Sequence, residues 1–513
     1  MKRIINKQFF FILMSVGVIM GSSCKKTYLD VNSDPNRVTD ANITAELIFP
    51  QAATTVGVRA ASTNFNFLNE WMGYFAPNGT FVPQQNIITY NIDFTFGDAL
   101  FQNYFNVLFD LHQTEVKGLA GGDTAIAGAS IILSAKLFQE LVDLYGNIPY
   151  SQAFNVGTYT TPTYDNAQDI YNSLELRLDT AISYFGHTIP KAFINADVVN
   201  GGDGDKWIKF ANTLKLRLLI RQSQVSGFSP TADMTKILAN GGVLGAGESV
   251  SVNPGYVNDV NKQNPYYANY GWDPTGVQVN TSTNMGNYIF NIFTTTDDPR
   301  LEQFFYPVGF SGTSFVGNTL GDPSSTLATS ANSSYFGPAL VGTLDANGDP
   351  DGSGAVQNQF IYPSYESMFL WAEAVARGWV PGVTDANPAL TAAITESFVW
   401  TGVPDATTAA ATYITGNPDI THTVPANSAV ANDKIVAFQK YIANTGIDPL
   451  ESYSDLRRLD FLADRSYISN APGAKKFLPF RLLYPQSEYT TNATNVLKEG
   501  TIDPFTSKLF WEP

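Results

Sequence analysis

Residues 126–145 place Ile131, Ala135, Phe138, Val142 and Tyr145 at alternating steps of four and three, which is one face of a helix, and Gly146 stops it. A second such segment follows at once. Asp165 with Gln168 reads as a capping box ahead of Ile170, Leu174, Leu178, Ile182 and Phe185. A third, 205–222, aligns Trp207, Phe210, Leu214, Leu218 and Arg221, and shorter stretches at 364–379, 432–444 and 452–465 keep the same period. This repetition commits the regular structure to a mostly α fold with few short strands. Helix pairs of this kind can stack as tetratricopeptide-like repeats, although no repeat consensus is visible. Residues 241–360 break the pattern: Gly, Asn, Ser, Thr and Pro dominate, which predicts a large loop-rich insertion, and 400–430 has the same texture on a smaller scale. No linker or charge block divides the chain, so residues 43–513 are expected to form one domain, with 241–360 facing the ligand.

The amino terminus reads as an address. Lys2, Arg3 and Lys7 precede the apolar run Phe9–Met20. As a helix that run would measure about 18 Å, short of the roughly 30 Å hydrocarbon layer, so it fits a signal peptide (residues 1–23) better than a permanent span. Gly21-Ser22-Ser23 then lead to Cys24, the only cysteine in the chain. A small-residue site ending at cysteine resembles a bacterial lipobox, with Gly21 standing where the usual lipobox has leucine; the alternative is ordinary signal-peptidase cleavage with Cys24 incidental. Two or three acyl chains on Cys24 would give stable anchoring to outer-membrane lipid. Residues 24–42 would be a polar tether. A single cysteine also excludes an intramolecular disulfide and cysteine-based redox or zinc chemistry.

The net charge is −16, and cleavage after residue 23 removes three bases and no acid, taking it to −19. A surface this acidic repels phosphate backbones, which argues against a nucleic-acid partner. Charged residues are only 15% of the chain, so neutral polar groups carry much of its solubility. Catalytic signatures are missing. His112, His187 and His422 are far apart and form no metal-binding pair, and there is neither a nucleophile elbow nor a phosphate loop. Paired carboxylates could run glycoside hydrolysis, but nothing singles out a pair among 46 acids. A lipid-anchored surface glycoside hydrolase and an adhesion protein are therefore the alternatives to a binding protein. No cofactor is expected. Asp345, Asn347, Asp349 and Asp351 alternate oxygen ligands as a calcium loop does, but Pro350 stands where the turn glycine belongs and Val356 where the bidentate glutamate belongs. A structural calcium ion stays open there.

Several segments resemble the SusD/RagB family, in its SusD-like branch. They are Tyr28-Leu29-Asp30-Val31-Asn32-Ser33-Asp34-Pro35-Asn36, Tyr145-Gly146-Asn147-Ile148-Pro149-Tyr150-Ser151-Gln152-Ala153-Phe154, the helix from Trp207 to Arg217, and Asp298-Pro299-Arg300-Leu301. Toward the C-terminus Glu373-Ala374 with Arg377-Gly378-Trp379, Ser454-Asp455-Leu456-Arg457-Arg458, and Phe480 to Tyr489 followed by Asn492 and Asn495-Val496 continue the likeness in order, with Phe480 in place of the family's arginine. The resemblance implies a tetratricopeptide-like helical scaffold on the outer leaflet, exposed at the cell surface. It would bind nutrient oligomers, glycans or peptides, and deliver them to a TonB-dependent SusC-like barrel. Most of these motifs have structural work: Trp207 and Phe210 pack, and Arg457, Arg458 and Arg481 would be paired with buried carbonyls or carboxylates.

Sugar faces stack on aromatic rings, helped by neutral and acidic hydrogen-bonding groups. Two clusters have that composition. Tyr266, Tyr267, Asn269, Tyr270, Trp272 and Asp273 lie in the loop-rich stretch, where binding residues concentrate. Trp71, Tyr74, Phe75 and Asn78 form the other, although their spacing is equally that of a buried helix face.

Overall fold

The structure, a computed structural model, describes residues 43–423 and 429–513. The expected signal segment, Cys24 and the tether to residue 42 lie outside them. Ala45–Pro513 form one compact unit.

The body is helical. Its main elements are α1 (Ala45–Ala60), α2 (Asn66–Trp71), α3 (Gln85–Ile88), α4 (Asp98–Gly121), α5 (Thr124–Tyr145), α6 (Ala167–Tyr184), α7 (Gly204–Arg221), α8 (Pro265–Tyr270), α9 (Ser364–Ala376), α10 (Asn387–Thr401), α11 (Ala406–Gly416), α12 (Ala429–Ala443) and α13 (Pro449–Leu459). Neighbours in sequence are mostly neighbours in space: α4 packs on α5, α5 on α6, α6 on α7 and α9 on α10, while α9 also meets α7 and α12. This is the tetratricopeptide-like stacking expected of paired helices.

α5 lies at the centre. It is long and apolar enough to cross a membrane, yet it is wholly enclosed by other helices. The sequence marks one apolar face; the structure buries all of them, so each polar residue on α5 needs a partner. Lys136 pairs with Glu140, Gln139 accepts from Arg217 Nε at 2.9 Å, and Asp143 accepts from Arg221 Nε at 3.1 Å. Arg221 also meets Glu451, Lys440 contacts Glu451 at 2.7 Å and Asp455 at 2.8 Å, and Arg458 reaches Asp455 and Glu373 at 2.8 Å each. One buried ionic network therefore ties α5, α7, α9, α12 and α13 together.

The family motifs are structural, as expected. Trp207 and Phe210 are fully buried. Arg457 donates to the carbonyls of Asp143 and Phe480, and Arg481 to that of Tyr145. Gly146 ends α5 at φ +75°, a conformation that other residues adopt only with strain, and a Cβ there would push on Arg481 Nη1 at 2.9 Å.

Three expectations are corrected. Asp165 does not cap α6: Asn166 does, accepting from the amides of Gln168 and Asp169, while the Asp165 carboxylate holds the amides of Tyr150 and Ser151. The 452–465 helix starts at Pro449 and stops at Leu459, where Asp460 turns to φ +49°. Much of 400–430 is helical, in α11 and Pro418–Thr421, because its Ala and Thr residues form helices without marking a face.

The strands are β1 (Phe75–Pro77), β2 (Ile148–Pro149), β3 (Tyr164–Asp165), β4 (Val250–Val252), β5 (Thr283–Met285), β6 (Phe305–Tyr306), β7 (Tyr335–Phe336) and β8 (Gln359–Tyr362). Among the described residues they make four antiparallel pairs, β1–β5, β2–β3, β4–β8 and β6–β7. The first pair, with Phe75 opposite Met285 and Pro77 opposite Thr283, brings the loop-rich stretch to the end of α2.

Candidate ligand-binding site

The aromatic residues singled out in the sequence are inside the protein. Tyr266, Tyr267, Tyr270 and Trp272 are 1–3% exposed, and Trp71 and Tyr74 are fully buried. Tyr266 donates its hydroxyl to the Gly446 carbonyl at 2.7 Å and packs against Tyr270, with ring centroids 4.7 Å apart. Trp272 is walled in by Tyr267, Phe310 and Tyr335. Tyr74 donates to the Tyr441 carbonyl at 2.6 Å. None of these rings presents a face to solvent, so the two clusters are corrected to packing sets: a large ring with a satisfied polar tip is good core material. Asn269 donates to the Ala61 carbonyl, and Asp273 accepts from Thr275 and Val277 within its own turn. The Asp345–Asp351 loop likewise closes on itself, with Asp345 accepting from the amides of Asn347 and Asp349, and Asp351 from that of Ser353. Its carboxylates serve the turn, and no cluster of three potential metal ligands occurs among the described residues.

A cleft of about 430 Å³ opens beside the second cluster. That volume falls in the usual range for small-molecule sites, about 300–1,000 Å³. Five neutral amides line it, from Asn64, Asn66, Gln84, Asn86 and Asn280, together with the hydroxyl residues Thr63, Thr95, Ser282 and Thr283. Phe67 and Phe96 supply its apolar wall, and Asp98 is the one ionisable side chain in the lining, engaged by the Ser487 hydroxyl at 2.7 Å.

Each wall has a local cause. Ser62 accepts the Asn64 amide and starts the short 3-10 turn that carries Thr63 and Asn64 outward. Gly97, at φ +82°, lets the chain enter α4 from the cleft floor, where a Cβ would stand 3.1 Å from the Tyr145 hydroxyl. Thr95 is turned by Asp93, whose carboxyl its hydroxyl holds below the usual range. Asn280 accepts from the amides of Ser282 and Thr283, which shapes the opposite rim.

Two of the expected residues act from behind this wall. Trp71 stacks on Phe96 with centroids 5.9 Å apart, meets Phe67 edge-on at 4.8 Å, and donates its indole N–H to the Ile87 carbonyl at 3.1 Å. It thereby fixes both aromatic wall residues and α3. Asn78 donates to the Thr281 carbonyl and to Asn284 Oδ1, which clamps the rim strand. The amides themselves were missed. Their signal was present: Asn64, Asn66, Gln84, Gln85 and Asn86 crowd into short segments with no helical period, where a solvent-facing amide has no packing role.

Asn66 is the most informative of them. Its Nδ2 donates to Glu70 Oε1 at 2.9 Å, while its Oδ1 is buried without a partner among the described residues. Glu70 is 4% exposed, and burial pushes its carboxyl up to about 8. An acid held neutral at pH 7 thus fixes an amide of the cleft lining whose acceptor oxygen is buried and met by no described residue. A free buried acceptor is costly unless a ligand or water meets it.

The fold has many solved relatives. A SusD homolog from Bacteroides fragilis superposes with a TM-score of 0.72 at 19% identity, covering 92% of this chain and 99% of that one. A chitin-binding SusD homolog from Flavobacterium johnsoniae gives 0.71 at 21% identity, over 90% and 98%. A SusD/RagB family protein from Bacteroides thetaiotaomicron gives 0.70 at 19%, over 92% and 99%. No curated protein sequence matches the chain. Residues 35–485 match the SusD-like family model described as starch-binding and associating with the outer membrane. With nearly the whole chain inside that match and the helical body superposing on its members, the protein belongs to the SusD-like family of outer-membrane nutrient-binding proteins, which bind their substrates and do not transform them.

Proposed function

We propose that this protein is a surface lipoprotein, anchored by acylated Cys24 after removal of residues 1–23 and tethered by residues 24–42. It takes an uncharged oligosaccharide into the amide-lined cleft and delivers it to a TonB-dependent SusC-like barrel. The observation that carries the ligand reading is the lining: five amides, four hydroxyl residues, two phenylalanines and no basic side chain. Amides donate and accept, as sugar hydroxyls do, and the absence of Lys and Arg gives no gain from a sulfate or uronate. Chitin, bound by the Flavobacterium relative, is an uncharged polysaccharide.

The test is calorimetry with length-matched neutral oligosaccharides, including β-linked N-acetylglucosamine and α-linked glucose oligomers, against oligouronates. A neutral oligomer is expected to bind. Asn64→Ala combined with Asn66→Ala should weaken it about tenfold or more, since two neutral hydrogen bonds contribute roughly 0.5–1.5 kcal/mol each. A double variant that binds as tightly as the parent would remove the cleft from consideration. Delivery is tested separately, by recovering the acylated protein from native outer membranes. A stoichiometric large β-barrel should co-purify, and Cys24→Ser should shift the protein to the soluble fraction. Recovery of the anchored protein alone would defeat the uptake role.

A further inference from the structure

We propose that the oligosaccharide site continues beyond the amide cleft, along α4, into a second and aromatic groove that holds the far end of a long chain; this rests on the ligand reading of the cleft. The groove has a volume of about 540 Å³, and Gln102, Phe105, Asn106, Phe109, Phe154 and Ser487 are among its lining residues. It joins the cleft in two ways. Asp98 of the cleft lining and Gln102, Phe105, Asn106 and Phe109 of the groove fall within an arc of about 100° around α4. Ser487 lines the groove, and its hydroxyl donates to Asp98 Oδ1 at 2.7 Å. From Asp98 to Phe109 the helix advances about 16 Å, a span that an oligomer can cover and a single sugar cannot.

Rings and amides alternate along this face. Phe109 is 41% exposed and Phe105 half-buried, while Gln102 and Asn106 are exposed. Neither amide side chain has a hydrogen-bond partner among the described residues. Phe154 completes the ring wall, its centroid 6.1 Å from those of both Phe105 and Phe109. Its backbone sits at φ +67°, a conformation that a bulky residue holds only under strain. His112, stacked on it at 5.4 Å, and Phe138, at 6.3 Å, keep the ring in place. One ionisable side chain lines the groove, Glu488, and its carboxylate accepts from the Tyr164 hydroxyl at 2.6 Å.

That mixture selects a sugar chain over an apolar protein face. Each sugar unit offers a C–H face to an aromatic ring and, at its edge, hydroxyls that donate to and accept from an amide. A flat apolar partner would cover Phe109 but bury Gln102 and Asn106 unpaired, which costs their desolvation. An anionic chain gains nothing, because no lysine or arginine lines either half of the site.

The test is calorimetry at two chain lengths, with trimers and hexamers of β-linked N-acetylglucosamine and of α-linked glucose, on the full chain carrying Cys24→Ser. For the sugar that binds, the hexamer should bind at least thirtyfold more tightly than the trimer, beyond the roughly fourfold that extra registers on one short site supply. Phe109→Ala combined with Gln102→Ala should remove that excess, and unchanged melting of this variant shows that the fold is intact. Asn64→Ala combined with Asn66→Ala should instead weaken both lengths alike. A hexamer advantage no larger than about fourfold, with the asparagine variant weakening both lengths, overturns the groove and leaves the cleft standing. No binding of either sugar at either length overturns both. A Phe109→Ala, Gln102→Ala variant that keeps the parent's length preference also overturns the groove, and if that variant loses the co-purifying barrel the face is a protein contact instead.

Discussion

Replacing Arg221 by methionine is expected to destabilise the fold by roughly 3–5 kcal/mol, the usual result of removing one partner from a buried ion pair. The size follows from what the guanidinium touches. It is 2% exposed, bonds Asp143 at 3.1 Å, meets Glu451, and lies 3.5 Å from Asp455. Methionine fills much of the same volume, so the loss is electrostatic and not a cavity. Glu451 would then keep only Lys440, Asp455 would keep Lys440 and Arg458, and Asp143 would keep only the neutral Tyr171 hydroxyl and Trp511 indole N–H as side-chain donors. At about 2.1 cal/mol/K per residue, unfolding a unit of this length carries an entropy near 1 kcal/mol/K, so the melting temperature should fall by about 3–5 °C.

A double variant separates desolvation from attraction. Glu451→Gln alone strands part of Arg221 and Lys440, which the Glu451 carboxylate contacts at 2.7 Å. Combined with Arg221→Met it removes one charge of each sign. The double variant should be less destabilised than the sum of the two singles by about 1–3 kcal/mol, the coupling of contacting residues in one network. Urea titrations of all four proteins measure it. A single-variant cost below about 1 kcal/mol would show that the network contributes little to holding α5 against α7 and α13.

The same network shows what the sequence could and could not disclose. Helix period identified α5, α6, α7, α9 and α12, because each keeps a repeating apolar face. It did not reveal that α5 is enclosed on every side, since a fully buried helix with partnered Lys136, Glu140 and Asp143 looks amphipathic in sequence. α1, α4 and α10 escaped notice: Pro50 sits inside α1, and α10 mixes Ala, Thr and Ser on every face. At the ligand site the failure had a different cause. Clustered aromatics attract attention, but Tyr266, Tyr270 and Trp71 cluster because large rings pack well together. The exposed cleft is built from Asn and Gln, which carry no periodicity, and it comes from segments about 180 residues apart in sequence, brought together by the β1–β5 pairing and the Asn78 hydrogen bonds.

Glu70→Gln is expected to stabilise the protein at alkaline pH by up to roughly 4–5 kcal/mol while changing little at pH 5. Burial alone raises the Glu70 carboxyl from 4.5 to about 8, with no cation to offset it. The unfolded chain releases its proton near 4.5 and the folded one near 8, so between those values the folded state holds the extra proton. Stability therefore falls as pH rises through that window and levels off above it. At about 1.36 kcal/mol per unit the whole penalty reaches the stated size. Glutamine is neutral throughout, and its Oε1 can still accept from Asn66 Nδ2, which Glu70 now fixes at 2.9 Å. The variant should thus keep the cleft and lose the slope. Urea unfolding at pH 5 and pH 8.5 reads the stability difference, and calorimetry at the same two values reads the cleft. If Glu70→Gln shows the parent's full pH dependence, the neutral acid lies elsewhere, with Glu366, also buried and pushed up to about 8 by burial and by Asp448, the next group to replace. If stability gains as expected but glycan affinity collapses, the carboxyl proton itself, and not only the acceptor oxygen, is needed to hold Asn66 in place.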